Sequence, residues 1–189
     1  MIVILNNGGQ YVHRIQRSLK YLDVPAKIVP NSTTLEEIAA NPEIKGVILS
    51  GGPDITKATN CENIALNSEL PVLGICLGHQ LISKAYGGEV SRADSEEYAS
   101  IKIYVKQEND LFKGVPSEFT AWASHMDEVK VTPDCFEVLA YSDICGVESI
   151  KHKEKSIYGV QFHPEVSHTE YGDIILKNFC KKCGFGFEE

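Results

Sequence analysis

The sequence of 189 residues lacks two features that would indicate particular partners. No apolar run approaches the roughly 20 residues that a membrane-spanning helix needs. Positive charge is also in short supply, because 18 lysines and arginines face 26 aspartates and glutamates, and the formal net charge is −8. A chain with this balance offers no basic face for nucleic acid. We therefore expect no membrane partner and no nucleic-acid partner.

Internal repeats, low-complexity tracts and long linkers are missing as well, which predicts a single domain over residues 1–189. The composition, 43% hydrophobic and 23% charged, is that of an ordinary globular domain. The six cysteines are scattered, which favours a reducing cytoplasm over an oxidising compartment. Because the chain opens directly on an apolar strand pattern, we expect no signal peptide.

A metal site also lacks a basis in the sequence. Cys180 and Cys183 have the spacing of a redox motif or of half a zinc site, but no second ligand pair accompanies them. They lie at the end of a helical pattern near the C-terminus. We interpret them as a thiol pair without function, and we expect no metal in this chain.

Strand and helix patterns alternate in the first half of the chain. Helical patterns lie near residues 11–22 and after Thr34, where Glu37 completes the spacing of a capping box. β-prone runs lie near residues 2–5, 26–29, 46–50 and 72–75. This alternation predicts an α/β fold with a mostly parallel central sheet flanked by helices.

The second half of the chain has a different pattern. From about residue 98 the segments are β-rich, and a final amphipathic helix covers residues 174–179. The β-rich runs lie at residues 101–105, 136–140 and 156–162. We therefore expect a small antiparallel β extension of the parallel sheet, closed by the last helix.

One thiol lies between two glycines at the end of an apolar run, in residues 74–80. Cys76 follows a strand pattern and precedes a helix, which is the arrangement of a nucleophile elbow. Small flanking residues permit a strained backbone there, and the helix N-terminus favours the thiolate. Taken alone, the motif fits an inert buried cysteine about equally well.

A histidine and a carboxylate near the other end of the chain supply what a cysteine nucleophile requires. His163 comes at the end of a β-prone run, Pro164 stops that strand, and Glu165 follows. A nucleophilic thiol needs an imidazole base and a third group that orients the imidazole. Together with the elbow at Cys76, this favours a catalytic triad.

These residues resemble the class I, or triad, glutamine amidotransferases, which hydrolyse the side-chain amide of glutamine. The likeness covers nearly the whole chain and implies a flavodoxin-like α/β fold. It implies that Cys76 is the nucleophile, that His163 acts as base and then as acid, and that Glu165 orients His163. It also implies an oxyanion hole formed by the backbone N–H groups of Gly52 and Leu77.

The same resemblance implies a glutamine-binding set and a substrate loop at residues 122–127. The residues expected to hold the amino-acid end of glutamine are Gly51, Gln80 and the backbone of Ser124, His125 and Met126.

Narrower motifs are similar to one branch of that family, the glutaminase subunits of two-subunit archaeal GMP synthetases. The most discriminating motif is the extension after residues 163–166, which contains His168, Thr169 and Gly172. Members of this branch deliver ammonia to a separate ATP pyrophosphatase subunit that aminates XMP to GMP. The branch implies L-glutamine as substrate, the pyrophosphatase subunit as partner, and a cytoplasmic location. It implies no cofactor in this chain, with ATP and Mg bound on the partner.

Other interpretations stay open. The chain could serve another amidotransferase as its glutaminase subunit, or act without a partner as a γ-glutamyl hydrolase-like cysteine hydrolase or peptidase. A substrate panel separates these hydrolases from an amidotransferase. Residues 50–54 imitate the start of an ATP pyrophosphatase loop, but Ile55 stands where that loop needs a hydroxyl. The intact Cys76, His163 and Glu165 argue against a catalytically silent regulatory module.

Overall fold

The computed structural model describes residues 1–58, 60–107 and 109–187, and it contains a continuous nine-stranded sheet with helices on both faces. The strands are β1 (Ile2–Asn6), β2 (Ala26–Pro30), β3 (Gly46–Leu49), β4 (Val72–Ile75), β5 (Glu89–Val105), β6 (Glu118–Val131), β7 (Phe136–Tyr141), β8 (Ser149–His152) and β9 (Ile157–Val160). The helices are α1 (Val12–Tyr21), α2 (Leu35–Ala39), α3 (Cys61–Asn67), α4 (Leu77–Ala85) and α5 (Gly172–Lys182), with a short 3-10 turn at Ile55–Lys57.

The sheet has a parallel part and an antiparallel part. Its strand order is β2-β1-β3-β4-β9-β8-β7-β5-β6, and the first five strands pair in parallel. That order is the flavodoxin-like arrangement of doubly wound sheets. The other four strands pair antiparallel and form the predicted extension, which includes the two longest strands, β5 and β6. The α/β fold class is therefore confirmed.

Two apolar layers lie on opposite faces of the sheet. Because successive side chains of a strand point to opposite faces, Ile2 and Ile4 of β1 join the layer beneath α1 and α5. Val3 and Leu5 join the layer beneath α2, α3 and α4. All four side chains are buried, so β1 is a central strand covered on both sides.

Local sequence signals account for some boundaries and not for others. Thr34 Oγ1 accepts from the Glu37 N–H at the start of α2. The Glu37 carboxylate accepts from the Thr34 N–H in return, which completes the predicted capping box. The substrate loop expected at residues 122–127 is instead part of β6. Strand β8 and helix α3 carry no strong pattern and were not predicted. None of the helices in the described ranges is long and apolar enough to cross a membrane.

Candidate active site

Cys76 lies between the end of β4 and the start of α4, at the carboxyl edge of the parallel strands. Its backbone has φ of +53° and ψ of −106°, a strained conformation for a residue with a side chain. The Cys76 N–H donates to the carbonyl of Val160 at 2.8 Å, which anchors the turn to the neighbouring strand β9. The predicted elbow geometry is therefore present.

The two glycines beside Cys76 allow three segments to pack closely. A Cβ on Gly74 would lie 2.4 Å from the Gly78 carbonyl oxygen, and a Cβ on Gly78 would lie 2.1 Å from the Leu49 carbonyl oxygen. Both distances are far inside van der Waals contact. Strand β3, strand β4 and helix α4 can meet at this point only because neither glycine has a side chain.

His163 and Glu165 form a buried pair. The His163 Nδ1–H donates to Glu165 Oε1 at 2.8 Å. The other ring nitrogen, Nε2, is therefore the one available to interact with Cys76. Burial opposes the charged ring, but Glu165 and Cys76 outweigh it and hold the pKa of His163 well above its usual range. The arrangement favours the imidazolium form of His163.

Trp122 of β6, Thr169 and Tyr11 hold the His163 loop in place. The His163 N–H donates to the Trp122 carbonyl at 2.9 Å. Thr169 Oγ1 donates to the His163 carbonyl at 2.6 Å and accepts from the Trp122 N–H at 2.9 Å. The Tyr11 ring packs edge-on against the imidazole at a centroid distance of 4.8 Å, and its hydroxyl accepts from Trp122 Nε1 at 3.1 Å. These roles of Tyr11, Trp122 and Thr169 depend on long-range contacts that the sequence does not reveal.

A cavity of about 400 Å³ opens at the elbow, a volume suited to one small metabolite. It brings together the residues that the sequence analysis expected in the triad, in the oxyanion hole and in the glutamine-binding set. Its lining includes Cys76, His163, Glu165, Gly51, Gly52, Leu77, Gln80, Ser124, His125 and Met126.

The two expected oxyanion donors, Gly52 and Leu77, both line the cavity with Cys76. Leu77 is the first residue of α4, so its N–H belongs to the turn whose donors have no acceptor within the helix. Gly52 packs against the backbone of Asn7, because an added Cβ would lie 2.2 Å from the Asn7 carbonyl oxygen. An added Cβ on Gly51 would instead lie 3.3 Å from His163 Cε1 and 3.5 Å from Cys76 Cβ. Gly51 therefore borders the reacting groups directly.

The polar side chains near Cys76 form hydrogen bonds with one another and with the backbone carbonyl of Asp127. The Gln80 Nε2 group donates to the Asp127 carbonyl at 2.8 Å and to Gln161 Oε1 at 3.1 Å. The His125 Nδ1–H donates to the same carbonyl at 2.9 Å. Gln161 Nε2 donates to the sulfur of Cys76 at 3.7 Å. The sequence analysis did not select Gln161, although it lies only two positions before His163.

The Nε2 atom of His125 faces a buried acidic pair. It lies 2.5 Å from Glu97 Oε2, and Ser142 Oγ donates to Glu97 Oε1 at 3.3 Å. Burial and the charge of Glu97 raise the pKa of Glu148 well above its usual range. One donor atom from each of Glu97, His125 and Glu148 lies within 4.8 Å of the others. Glu97 of β5 lies opposite His125 of β6, so the hydrogen bond between their side chains ties these two strands together.

Comparison with known proteins shows the family of the chain. Residues 3–183 match the family model described as glutamine amidotransferase class-I. The chain is 94% identical, over the full length of both proteins, to a Methanococcus maripaludis strain C5 protein named as one subunit of glutamine-hydrolyzing GMP synthase. A Pyrococcus furiosus protein of the same name is 57% identical, with 97% of this chain and 99% of that protein covered.

Solved structures show the same fold. A Thermoplasma acidophilum protein, assigned provisionally to the same GMP synthase subunit, superposes with a TM-score of 0.89 at 39% identity, covering 97% of this chain and 93% of that one. A glutamine amidotransferase from Thermotoga maritima superposes with a TM-score of 0.69 at 21% identity, covering 87% and 76%. At that lower identity the likeness concerns the fold alone.

Proposed function

The chain belongs to the class I glutamine amidotransferases, and from that premise we propose that it is the glutaminase subunit of a two-subunit GMP synthetase. The observation that carries the proposal is the buried constellation of Cys76, His163 and Glu165 at one cavity. The names of full-length relatives at 57–94% identity support the same assignment. They also favour it over a glutaminase subunit of another amidotransferase.

Catalysis begins with the thiolate of Cys76 attacking the side-chain carbonyl carbon of glutamine. The C–S bond forms while negative charge develops on the carbonyl oxygen, and under this proposal the Leu77 and Gly52 N–H groups bind that oxygen. One such donor is typically worth about 10²–10³ in turnover. Because its charge is stabilised by Glu165, the His163 imidazolium holds a proton ready for the leaving nitrogen.

The second half of the reaction regenerates the thiol. As the C–N bond breaks, His163 donates its proton to the nitrogen and ammonia leaves. His163, now neutral, removes a proton from water, which attacks the glutamyl thioester and releases glutamate. Glu165 keeps the ring oriented through both proton transfers.

Ammonia made here is consumed elsewhere under this proposal. The partner is a separate ATP pyrophosphatase subunit in the cytoplasm, which binds ATP and Mg and aminates XMP, while this chain itself binds no cofactor. Ammonia released without the partner would waste glutamine. We therefore expect the isolated chain to be slow and to accelerate when the partner binds with XMP and ATP.

The test measures ammonia release from glutamine with and without the partner subunit, for wild type and for Cys76→Ala. The proposal predicts stimulation by the partner and no release from the variant. Release from γ-glutamyl peptides in preference to glutamine would favour the γ-glutamyl hydrolase alternative. Full activity of the isolated chain would contradict the expected dependence on a partner.

A further inference from the structure

Gln161 follows β9 directly and is completely buried. Its backbone is fixed, because the Gln161 N–H donates to the Glu148 carbonyl at 2.8 Å. A buried carboxamide is costly unless both of its ends are hydrogen-bonded. The Oε1 end accepts from Gln80 Nε2 at 3.1 Å, and the Nε2 end donates to Cys76 Sγ at 3.7 Å. The side chain therefore links helix α4 to the nucleophile.

The direction of this amide follows from its neighbours. A carbonyl oxygen can only accept a hydrogen bond, so the group of Gln80 that lies 2.8 Å from the Asp127 oxygen must be its NH₂. The same NH₂ group then faces Gln161, which must present its oxygen there. Its own NH₂ group is left to face the sulfur of Cys76. The Asp127 carbonyl thus sets the orientation of the Gln80 amide and, through it, that of the Gln161 amide.

An N–H donor on the sulfur acts differently from the imidazole. It cannot accept the thiol proton, but it stabilises the thiolate once the proton has left. The sulfur also lies 3.7 Å from the Ser124 carbonyl oxygen, which favours the protonated thiol instead. The Gln161 donor offsets that carbonyl and adds to the stabilisation of the thiolate by the His163 imidazolium.

We propose that Gln161 donates a hydrogen bond to the Cys76 thiolate and holds the sulfur for attack, with Gln80 as the positioning residue that orients the Gln161 amide. This inference deepens the proposed glutaminase function and rests on it for its catalytic consequence. The hydrogen bond itself is measurable without glutamine.

The test follows the rate of Cys76 alkylation by iodoacetamide against pH. The other thiols interfere little, since burial raises the pKa of Cys61 to about 11 and that of Cys180 to about 12, and likewise raises the pKa of Cys145 and Cys183. Cys135 is only partly buried, so the parent protein carries Cys135→Ser. Peptide mapping confirms that the label is on Cys76.

Gln161→Met keeps the length of the side chain and removes the donor. We expect the alkylation midpoint to rise by about one pH unit, which corresponds to about a tenfold loss of thiolate at low pH. Glutamine turnover should fall by about tenfold to a hundredfold in kcat with little change in KM. Gln16→Met is the matched control, because it removes a glutamine-to-carbonyl bond of 3.0 Å at Ala26 and should shift nothing.

Gln80→Met covers the case in which the first variant does not fold. It leaves Gln161 in place without its orienting partner, and we expect a smaller rise of the midpoint. Folded variants at both positions with the midpoint of the parent would overturn the inference. If Gln161→Met raises the alkylation midpoint but the parent hydrolyses no glutamine even with the partner subunit, XMP and ATP, the proposed function is refuted and this inference stands.

Discussion

Substituting the adjacent glycines at the cavity separates a catalytic effect from a structural one. In Gly51→Ala the new methyl group would lie 3.3 Å from His163 Cε1, so the ring must move by a few tenths of an ångström. A misplacement of about 1 Å can cost about 10²-fold in rate, and we expect this smaller shift to cost about tenfold in kcat. Stability should change by less than about 1 kcal/mol, because the neighbouring cavity leaves room for the added methyl group.

Gly52→Ala should instead cost stability, and it should lower activity as well, because the displaced Gly52 N–H is an expected oxyanion donor. Its methyl group would lie 2.2 Å from the Asn7 carbonyl oxygen, a backbone atom that cannot rotate away. Overpacking of this kind costs about 1–3 kcal/mol and occasionally more. We expect about 3 kcal/mol, which in a domain of this size lowers the melting temperature by about 6–12 °C.

The assays are thermal unfolding followed by circular dichroism and steady-state ammonia release at a fixed partner concentration. Gly146→Ala is the control, since an added Cβ there would meet nothing within 4 Å. It should match wild type in both assays. Full activity of Gly51→Ala, or a melting temperature of Gly52→Ala equal to that of wild type, would refute this prediction.

Three further predictions concern titratable groups. Cys76→Ala should abolish glutamine hydrolysis without lowering the melting temperature, and residual activity above about a tenth of wild type would contradict its role. His163→Asn should lose more activity than Glu165→Gln, by kcat measured for both, because losing a base costs about 10²–10⁴. Glu148→Gln should flatten the fall of the melting temperature as the pH rises above about 4.3, the unfolded pKa of a glutamate. Burial and Glu97 raise the folded pKa of Glu148, so its protonation favours the fold below the unfolded pKa of about 4.3, and that stability declines as the pH rises toward the folded pKa. An unchanged pH slope would count against a neutral Glu148.

The parallel half of the fold could be predicted because local patterns dominate it. Apolar runs and the Thr34 capping box each act within a few residues, and the motif around Cys76 is recognisable within residues 74–80. The antiparallel half could not be drawn in detail. Much of β5 is polar and exposed, and its register with β6 is set by contacts between distant residues, with a bulge between Arg92 and Glu97.

The candidate site shows the same division. The triad residues could be selected because each lies in a short motif with its own chemical logic. The roles of three other residues could not be assigned, because their partners are distant in the chain. Gln161 lies 85 positions from its partner Cys76. Tyr11 and Trp122 lie 152 and 41 positions from their common partner His163. A glutamine in a strand-end sequence is ordinary until the fold places it against the nucleophile.

Transfer of nitrogen in the reconstituted complex tests the central claim most directly. Glutamine carrying a heavy-nitrogen amide is mixed with this chain, the ATP pyrophosphatase subunit, XMP, ATP and Mg, and the isotope is followed into GMP by mass spectrometry. The account predicts heavy nitrogen in GMP with wild type. It predicts none with Cys76→Ala, although added ammonium still supports GMP synthesis. Heavy nitrogen in GMP from the Cys76→Ala complex, or none from wild type, would contradict the account.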